Sequence, residues 1–238
     1  MTRRLDVIGL GRKAYGEVLD LQRRLASGRI AGTIEHDLLI LVEHHPVITL
    51  GRGFRAQNLP SSRAALEAQG IELFNIERGG DVTFHGPGQL VGYPIFDLKG
   101  HQQDVHWFLR QLEESLIRTL ASLGIQAGRR EGYTGVWTSN RKIASIGIHL
   151  KQWVSWHGFA LNVTTDLSYF DLIVPCGIPG VEMTSIHREL AERTPRDVWA
   201  RTLEQAVLGV ADVFGMTPQI VTLEAAIAGS VARGAAGA

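Results

Sequence analysis

The stretch TGVWTSNRKIASIGIHLKQWVSWHGFALNV, residues 134–163, decides the fold class. It contains three β-rich segments separated by short polar turns such as SNR, residues 139–141. Successive strands joined by short turns pair antiparallel, so the stretch predicts a β-meander. Elsewhere strands and helices mix without regular βαβ alternation, and no repeat or linker divides the chain. The sequence therefore predicts a single α+β domain with a mixed or mostly antiparallel sheet.

Long helices are predicted where apolar residues recur at helical spacing. The first begins at Ala14 and stops at Gly28. The second follows Asp104, a good N-cap, and is closed by Gly124. Its apolar stripe consists of Val105, Phe108, Leu109, Leu112, Leu116 and Leu120. We assign that stripe to the core rather than to a binding surface.

A last long helix is predicted from Thr194 to about Phe214, with Pro195 at its first position and Asp197 completing a capping box. The tail AAIAGSVARGAAGA, residues 225–238, lacks large apolar anchors. We expect its last ten or so residues to be flexible.

The segments DLLILVEHH, residues 37–45, and PVITLGRG, residues 46–53, predict two early strands that pair with each other. A short helix capped by Ser61 or Ser62 follows and ends at Gly70. A further strand is predicted within IELFNIERGG, residues 71–80.

Charge and cysteine content limit the classes of function. The 238 residues carry 24 Lys+Arg and 24 Asp+Glu, so no overall field attracts the chain to nucleic acid or to an anionic membrane. The N-terminus has no apolar stretch typical of a signal peptide, and no apolar run is long enough to span a bilayer. A single cysteine forms no internal disulfide. We expect a soluble cytoplasmic protein whose thiol stays reduced.

The densest unusual stretch is RGGDVTFHGPGQLVGYP, residues 78–94, which holds five glycines beside Arg78, Thr83, His85 and Gln89. It lacks the spacing of a phosphate-binding P-loop and of a dinucleotide-binding turn. Glycines and prolines together make a stiff backbone that can approach a ligand closely. The stretch therefore favours the wall of a substrate channel over a simple surface turn.

The nine histidines do not indicate a metal site. His44 and His45 are adjacent in an extended segment and point to opposite faces, and no zinc-binding spacing occurs. We predict structural roles for them. His157 is compatible with orienting a substrate group or with a hydrogen-bonded core position.

Cys176 lies in IVPCGIPG, residues 173–180, where it is either a small core residue or a nucleophile on a rigid turn. Regular alternation along RKIASIGIHLK, residues 141–151, places one apolar set on the same face of the strand: Ala144, Ile146, Ile148 and Leu150. Lys142 heads that face, unless a β-bulge changes the alternation. Lys142 either extends to water or, beside a thiol, favours the reactive thiolate.

Seven separated motifs in this order resemble the lipoyl(octanoyl) transferase family. They are HPVITLGR, RGGDVTFHGPGQLVGYPI, GVW, KIASIGI, HGFALNV, PCGI and TSI, within residues 41–186. The resemblance implies the α+β catalytic fold of biotin and lipoate protein ligases, with residues 1–238 as one catalytic domain. It also implies transfer of an octanoyl or lipoyl group through a cysteine thioester, without ATP, cofactor or metal.

The resemblance further implies a site. Cys176 and Lys142 correspond to the family's catalytic pair. The implied substrate-binding residues are Arg78, Gly79, Gly80, Asp81, Val82, Thr83, Phe84, His85, Ser145, Ile146, Gly147, Gly158, Phe159 and Ala160.

The implied donor is octanoyl-acyl carrier protein. The implied acceptors are lipoyl domains of 2-oxoacid dehydrogenase E2 subunits and the glycine cleavage H protein. Five arginines are expected to form a basic patch for the acidic carrier: Arg52, Arg55, Arg129, Arg130 and Arg141. Three alternatives stay open: an ATP-dependent lipoate or biotin ligase, an amidotransferase between lipoyl-type domains, and a non-catalytic acyl-binding module.

Overall fold

The computed structural model describes residues 3–178 and 180–228. Its strands are β1 Arg3–Lys13, β2 Asp37–His44, β3 Val47–Leu50, β4 Glu72–Asn75, β5 Val82–His85, β6 Gln89–Ile95, β7 Gly128–Arg130, β8 Tyr133–Thr138, β9 Arg141–Lys151, β10 Val154–Asn162, β11 Glu182–Met183 and β12 Met216–Ile220. Its helices are α1 Tyr15–Ile30, α2 Arg63–Glu67, α3 Val105–Ser122, α4 Ile186–Leu190, α5 Val198–Val213 and α6 Leu223–Ala228. The predicted flexible end, residues 229–238, lies outside the described residues.

The larger sheet has the strand order β12-β1-β2-β6-β10-β9-β8-β7, and β11 pairs with β9. β1 runs parallel to β12 and β2, and β11 runs parallel to β9. The other neighbours are antiparallel, including the β8-β9-β10 meander. The predicted mixed sheet and meander are confirmed.

A smaller sheet has the order β4-β3-β5. The predicted pairing of the two early strands is wrong, because β2 lies between β1 and β6 while β3 lies between β4 and β5. Both strands are almost fully buried. The local run of apolar residues predicts that each strand is buried. It does not predict the pairing, because the partners of each strand come from distant segments.

Helices α3 and α5 cover one face of the large sheet, and α1 covers the other. The small sheet packs against α1. The α3 stripe of Phe108, Leu112, Leu116 and Leu120 is fully buried against the first face. Burying side chains of this size contributes about 1.5–3 kcal/mol each. Val105 departs from the prediction, since it is 40% exposed in the first turn of the helix.

Local signals set some helix ends and not others. The Asp104 carboxylate accepts hydrogen bonds from the backbone N–H groups of His106 and Trp107, as an N-cap does. α1 continues past Gly28 to Ile30. α5 begins at Val198, four residues after the predicted start, because the Thr194 hydroxyl instead donates to backbone carbonyls of the preceding turn.

The sequence did not predict strands β1 and β12. β1 and β12 pair with each other at the edge of the large sheet, from the beginning and the end of the described chain. None of the helices in residues 3–178 and 180–228 has the length and hydropathy needed to cross a membrane.

Candidate active site

Cys176 is held in a strained backbone conformation. It lies in a 3-10 turn, Pro175–Gly177, with φ 56° and ψ 18°, in the left-handed region that non-glycine residues seldom occupy. The turn is fixed because Val174 N–H donates to the Asn58 carbonyl at 2.8 Å and Gly177 N–H donates to the Val174 carbonyl at 2.9 Å. Strain of this kind persists where surrounding contacts over-determine it, and it is concentrated at functional sites.

Lys142 contacts the thiol directly. Its Nζ lies 3.0 Å from Cys176 Sγ, and the side chain is only 1% exposed. The face of the Trp137 ring lies 5.5 Å from Nζ. Among the described residues no carboxylate forms an ion pair with Lys142. Buried polar groups are almost always hydrogen-bonded, and Cys176 Sγ is the acceptor that the site offers to Lys142 Nζ.

A β-bulge brings Lys142 to the thiol. β8 pairs Val136 with Ala144 but Trp137 with Lys142, so β9 carries one extra residue at this point. Ile143 and Ala144 both pack in the core beneath α3 and α5. Lys142 therefore does not head the apolar face, as regular alternation predicted. It shares the opposite face with Ser145, whose Oγ lies 4.0 Å from Cys176 Sγ.

Gly135 makes the space that the Lys142 side chain occupies. It has φ +129°, and a Cβ added there would lie 2.7 Å from Lys142 Cε and 2.6 Å from the Ala144 carbonyl oxygen. Its N–H donates to Glu113 Oε1 at 2.9 Å, which fixes the hairpin strand in place. The glycine of the GVW motif thus allows the β8 backbone to lie against the Lys142 side chain.

The pair opens into a cavity of about 340 Å³ bordered by strands of both sheets. The predicted site residues that line it are Lys142, Cys176, Arg78, Gly80, Asp81, Thr83, His85, Ser145, Ile146, Gly147, Gly158, Phe159 and Ala160. The structure places three others outside this lining. Val82 and Phe84 alternate with the lining residues along β5 and pack in the core of the small sheet. Gly79 uses its backbone N–H to bind the Ile148 carbonyl.

Arg78 supplies positive charge to the cavity wall. Its guanidinium donates to the carbonyl of Gly79 and to the carbonyl and hydroxyl of Thr49, at 2.8–3.1 Å. Burial lowers the pKa of Arg78, although nearby acidic groups, Cys176 among them, oppose that shift. In the described part of the chain no carboxylate forms an ion pair with Arg78, so its charge is available to a ligand.

His85 is the first member of a buried polar chain. Its Nδ1 lies 2.8 Å from Gln89 Oε1, and Gln89 Nε2 donates to Asn162 Oδ1 at 2.9 Å. That orientation of the amide makes Nδ1 the protonated nitrogen of His85. Burial lowers the pKa of His85 to about 3, so the imidazole is neutral at pH 7. The glycine-rich stretch thus presents a neutral histidine of defined tautomer.

Sequence reasoning missed two aromatic residues of the cavity lining. Tyr15 and Tyr93 both line it, and His157 lies beside them. Tyr93 donates to His44 Nε2 at 2.8 Å, while His44 Nδ1 lies 3.1 Å from the Lys13 carbonyl. His44 therefore has structural contacts, as predicted. No local pattern marks Tyr15, because it comes from the N-terminal turn of α1, far along the chain from Cys176.

Two of the five arginines predicted to form a patch are held by carboxylates. Arg129 pairs with Glu113 and Glu114, and Arg141 pairs with Glu189. Within residues 3–178 and 180–228 no cluster of three or more His, Cys, Asp or Glu is arranged to hold a metal ion.

Comparison with known proteins places this geometry in a family. The model of the lipoyl protein ligase A/B catalytic domain matches residues 14–207. The chain belongs to that family. An octanoyltransferase of Solibacter usitatus is 55% identical over 169 residues, 71% of this chain and 76% of that protein. An octanoyltransferase of Koribacter versatilis is 46% identical over 227 residues, 92% of this chain and 87% of that protein.

Solved structures share the fold at low sequence identity. Lipoate-protein ligase A bound with ATP has a TM-score of 0.74 at 15% identity, covering 98% of this chain and 94% of that one. A putative lipoate protein ligase from T. acidophilum has a TM-score of 0.73 at 15% identity, covering 98% and 93%. These likenesses confirm the expected ligase-like α+β fold and say nothing of the reaction.

Proposed function

We propose that this chain is an octanoyltransferase that moves an octanoyl or lipoyl group from acyl carrier protein to a lysine of a lipoyl domain. The observation that carries the proposal is the 3.0 Å contact between Cys176 Sγ and Lys142 Nζ in the wall of a cavity of about 340 Å³. The octanoyltransferases to which the chain is 45–55% identical support it. A reduced Cys176 fits the cytoplasmic setting expected from the single cysteine.

In the first half-reaction the Cys176 thiolate attacks the thioester carbonyl of the acyl carrier. A new S–C bond forms, the carrier's S–C bond breaks, and the carrier leaves as a thiol after taking a proton from the Lys142 ammonium. The negative charge that develops on the carbonyl oxygen lies in a cavity whose wall carries the Arg78 guanidinium. One thioester replaces another, so this step needs no ATP.

In the second half-reaction the acceptor lysine attacks the acyl-Cys176 thioester. Lys142, now neutral, takes the proton from the attacking amine and keeps it as the ammonium, while the Cys176 sulfur departs as the thiolate. The products are an amide on the acceptor and the starting dyad. Conversion of a thioester to an amide is downhill, and because the acyl group waits on Cys176, carrier and acceptor need not be bound together.

The partners follow from this chemistry. We propose octanoyl-acyl carrier protein as the donor. We propose lipoyl domains of E2 subunits and the glycine cleavage H protein as the acceptors. A fold relative at 15% identity was described together with its E2 lipoyl domain, in line with an acceptor of this kind.

The decisive experiment incubates the protein with octanoyl-acyl carrier protein, without ATP, and measures intact mass. The expected result is one octanoyl adduct on the wild-type chain, discharged when a lipoyl domain is added. Cys176→Ser, which keeps the side-chain shape, should give no adduct.

An adduct of unchanged amount on Cys176→Ser would overturn the role of the thiol. Transfer that requires ATP, as expected of an ATP-dependent ligase on this fold, would overturn the proposed reaction.

A further inference from the structure

The tip of the hairpin between β7 and β8 marks the opening of the cavity. Of the described residues that line the cavity, only Gly80, Gly132 and Tyr133 are exposed to solvent, and the others are buried or half-buried. Gly132 and Tyr133 lie at the hairpin tip, and Gly80 lies in the glycine-rich turn before β5. A ligand that enters from solvent therefore passes between this tip and the Gly80 turn.

Arg130 lies beside this opening with its charge unpaired. Its guanidinium carbon lies 5.1 Å from the ring centroids of both Tyr133 and Trp137, and its backbone pairs with Tyr133 across the hairpin. Aromatic rings attract a cation through their π electrons, which leaves its N–H groups free for a ligand. Among the described residues no carboxylate forms an ion pair with Arg130, whereas its neighbour Arg129 is held by two carboxylates.

Arg130 is close enough to Cys176 to bind one end of a substrate whose other end reacts with the thiol. The Trp137 ring connects the two sites, because its centroid lies 5.1 Å from the Arg130 guanidinium carbon and 5.5 Å from Lys142 Nζ. Lys142 Nζ in turn lies 3.0 Å from Cys176 Sγ. These three steps place the guanidinium at most about 14 Å from the thiol.

Arg78 and Asp81, which carry charges in the cavity lining, are already bonded to the protein. Arg78 is 7% exposed, and its guanidinium donates to carbonyl and hydroxyl oxygens, so it acts inside the cavity rather than at the opening. The Asp81 carboxylate accepts hydrogen bonds from Asn58 Nδ2 at 2.6 Å and from Val82 N–H at 2.7 Å. Arg130 thus presents a cation to a ligand at the opening.

The proposed donor carries an anion at a matching distance from its thioester. In an acyl carrier protein the thioester sulfur ends a pantetheine arm, and the other end of the arm is a phosphodiester. About thirteen bonds separate that sulfur from the phosphorus, so the extended arm spans about 16 Å. The planar fork of an arginine fits two oxygens of a phosphate. A phosphate bound to Arg130 therefore allows the thioester to lie at Cys176.

We propose that Arg130, held on the rings of Tyr133 and Trp137, binds the phosphate of the donor's pantetheine arm. The ligand class is an acyl-pantetheine phosphate, and two N–H groups of the guanidinium donate to two phosphate oxygens. The contact belongs to the first half-reaction, because the acceptor lysine carries no phosphate. This inference rests on the proposed function, which brings the thioester of the arm to Cys176.

The test uses two unreactive analogues of the arm in which an amide replaces the thioester: octanoyl-aminopantetheine with and without its 4′-phosphate. Titration calorimetry on the whole chain at low salt measures both affinities, and no turnover is needed. We expect the wild type to bind the phosphorylated analogue about fivefold more tightly, the upper value for an exposed ion pair. Arg130→Gln should bring this ratio of affinities close to one, and high salt should do the same in the wild type.

Arg201→Gln is the matched control. It removes the same charge from an exposed position of α5, outside the cavity lining, so the ratio should keep its wild-type value.

Equal affinity of the wild type for the two analogues, or no measurable binding of either, would overturn the phosphate site. A preference for the phosphorylated analogue that Arg130→Gln retains would overturn it as well. Failure of the proposed function is a separate outcome, since it is the absence of an octanoyl adduct on Cys176 after incubation with octanoyl carrier protein.

Discussion

Replacing Gly135 by alanine tests whether the position of Lys142 controls the reactivity of the Cys176 thiol. The added Cβ would lie 2.7 Å from Lys142 Cε, and ordinary contact begins at 3.4 Å, so the lysine or the strand must move by about 0.7 Å. The Ala144 carbonyl blocks retreat on the other side. Misplacing a reacting group by about 1 Å can cost about 100-fold in rate. We expect the rate of adduct formation on Cys176 to fall about 10- to 100-fold.

The assay is the rate at which the octanoyl adduct appears by intact mass, at several concentrations of octanoyl carrier protein. Gly124→Ala is the control, because Gly124 also has a positive φ, +79°, but a Cβ there meets nothing within 4 Å. Both variants carry backbone strain, of about 1–3 kcal/mol, and Gly135→Ala adds the two close contacts, so its thermal unfolding temperature should fall further; the rates are therefore compared at a temperature at which both variants are folded. Equal rates of adduct formation in Gly135→Ala and Gly124→Ala would refute the reasoning.

Three further predictions concern charge. Lys142→Ala removes the ammonium that is proposed to stabilise the Cys176 thiolate. The pH at which the alkylation rate of the thiol increases should therefore be higher in the variant than in the wild type. An unshifted pH profile would remove Lys142 from that role. Changing Arg52, Arg55 and Arg130 together to glutamate should raise the apparent KM for the acidic carrier, more steeply at low salt, and an unchanged KM would count against a basic docking surface. Burial lowers the pKa of His44 from 6.5 to about 4. The unfolded chain therefore binds this proton first as pH falls. The free energy of unfolding should decrease between pH 6.5 and 4, by up to about 1.4 kcal/mol per pH unit from this group. Urea titrations should find a smaller decrease in His44→Gln, and equal decreases would contradict the assignment.

Features that depend on neighbours along the chain were predictable. The helix between Asp104 and Gly124 has its cap, its periodicity and its stop within about twenty residues, and the structure agrees at both ends. The meander of residues 134–163 has turns too short for any pairing except antiparallel. In each case the interactions that decide the structure lie within the segment itself.

Features that depend on register between distant segments were not predictable. One extra residue in β9 moved Lys142 from the apolar face to the cavity, and only the pairing with β8 reveals that bulge. Tyr15 enters the cavity because α1 packs across the sheet, and nothing in its own segment marks it. Val82 and Phe84, inside the motif that carried the resemblance, proved to face a core.

The sequence by itself determined the fold class and the capped helix, and it named Cys176 and Lys142 as a candidate pair, because motif order and local periodicity are written in contiguous residues. Only the tertiary structure decided that Lys142 Nζ reaches Cys176 Sγ and that Tyr15 lines the same cavity. Those facts depend on one bulge, the strained φ of Cys176 and the packing of elements from across the chain. Contacts between residues far apart in the chain fix the strand register and these backbone angles. The pattern of residue types within one segment therefore does not predict them.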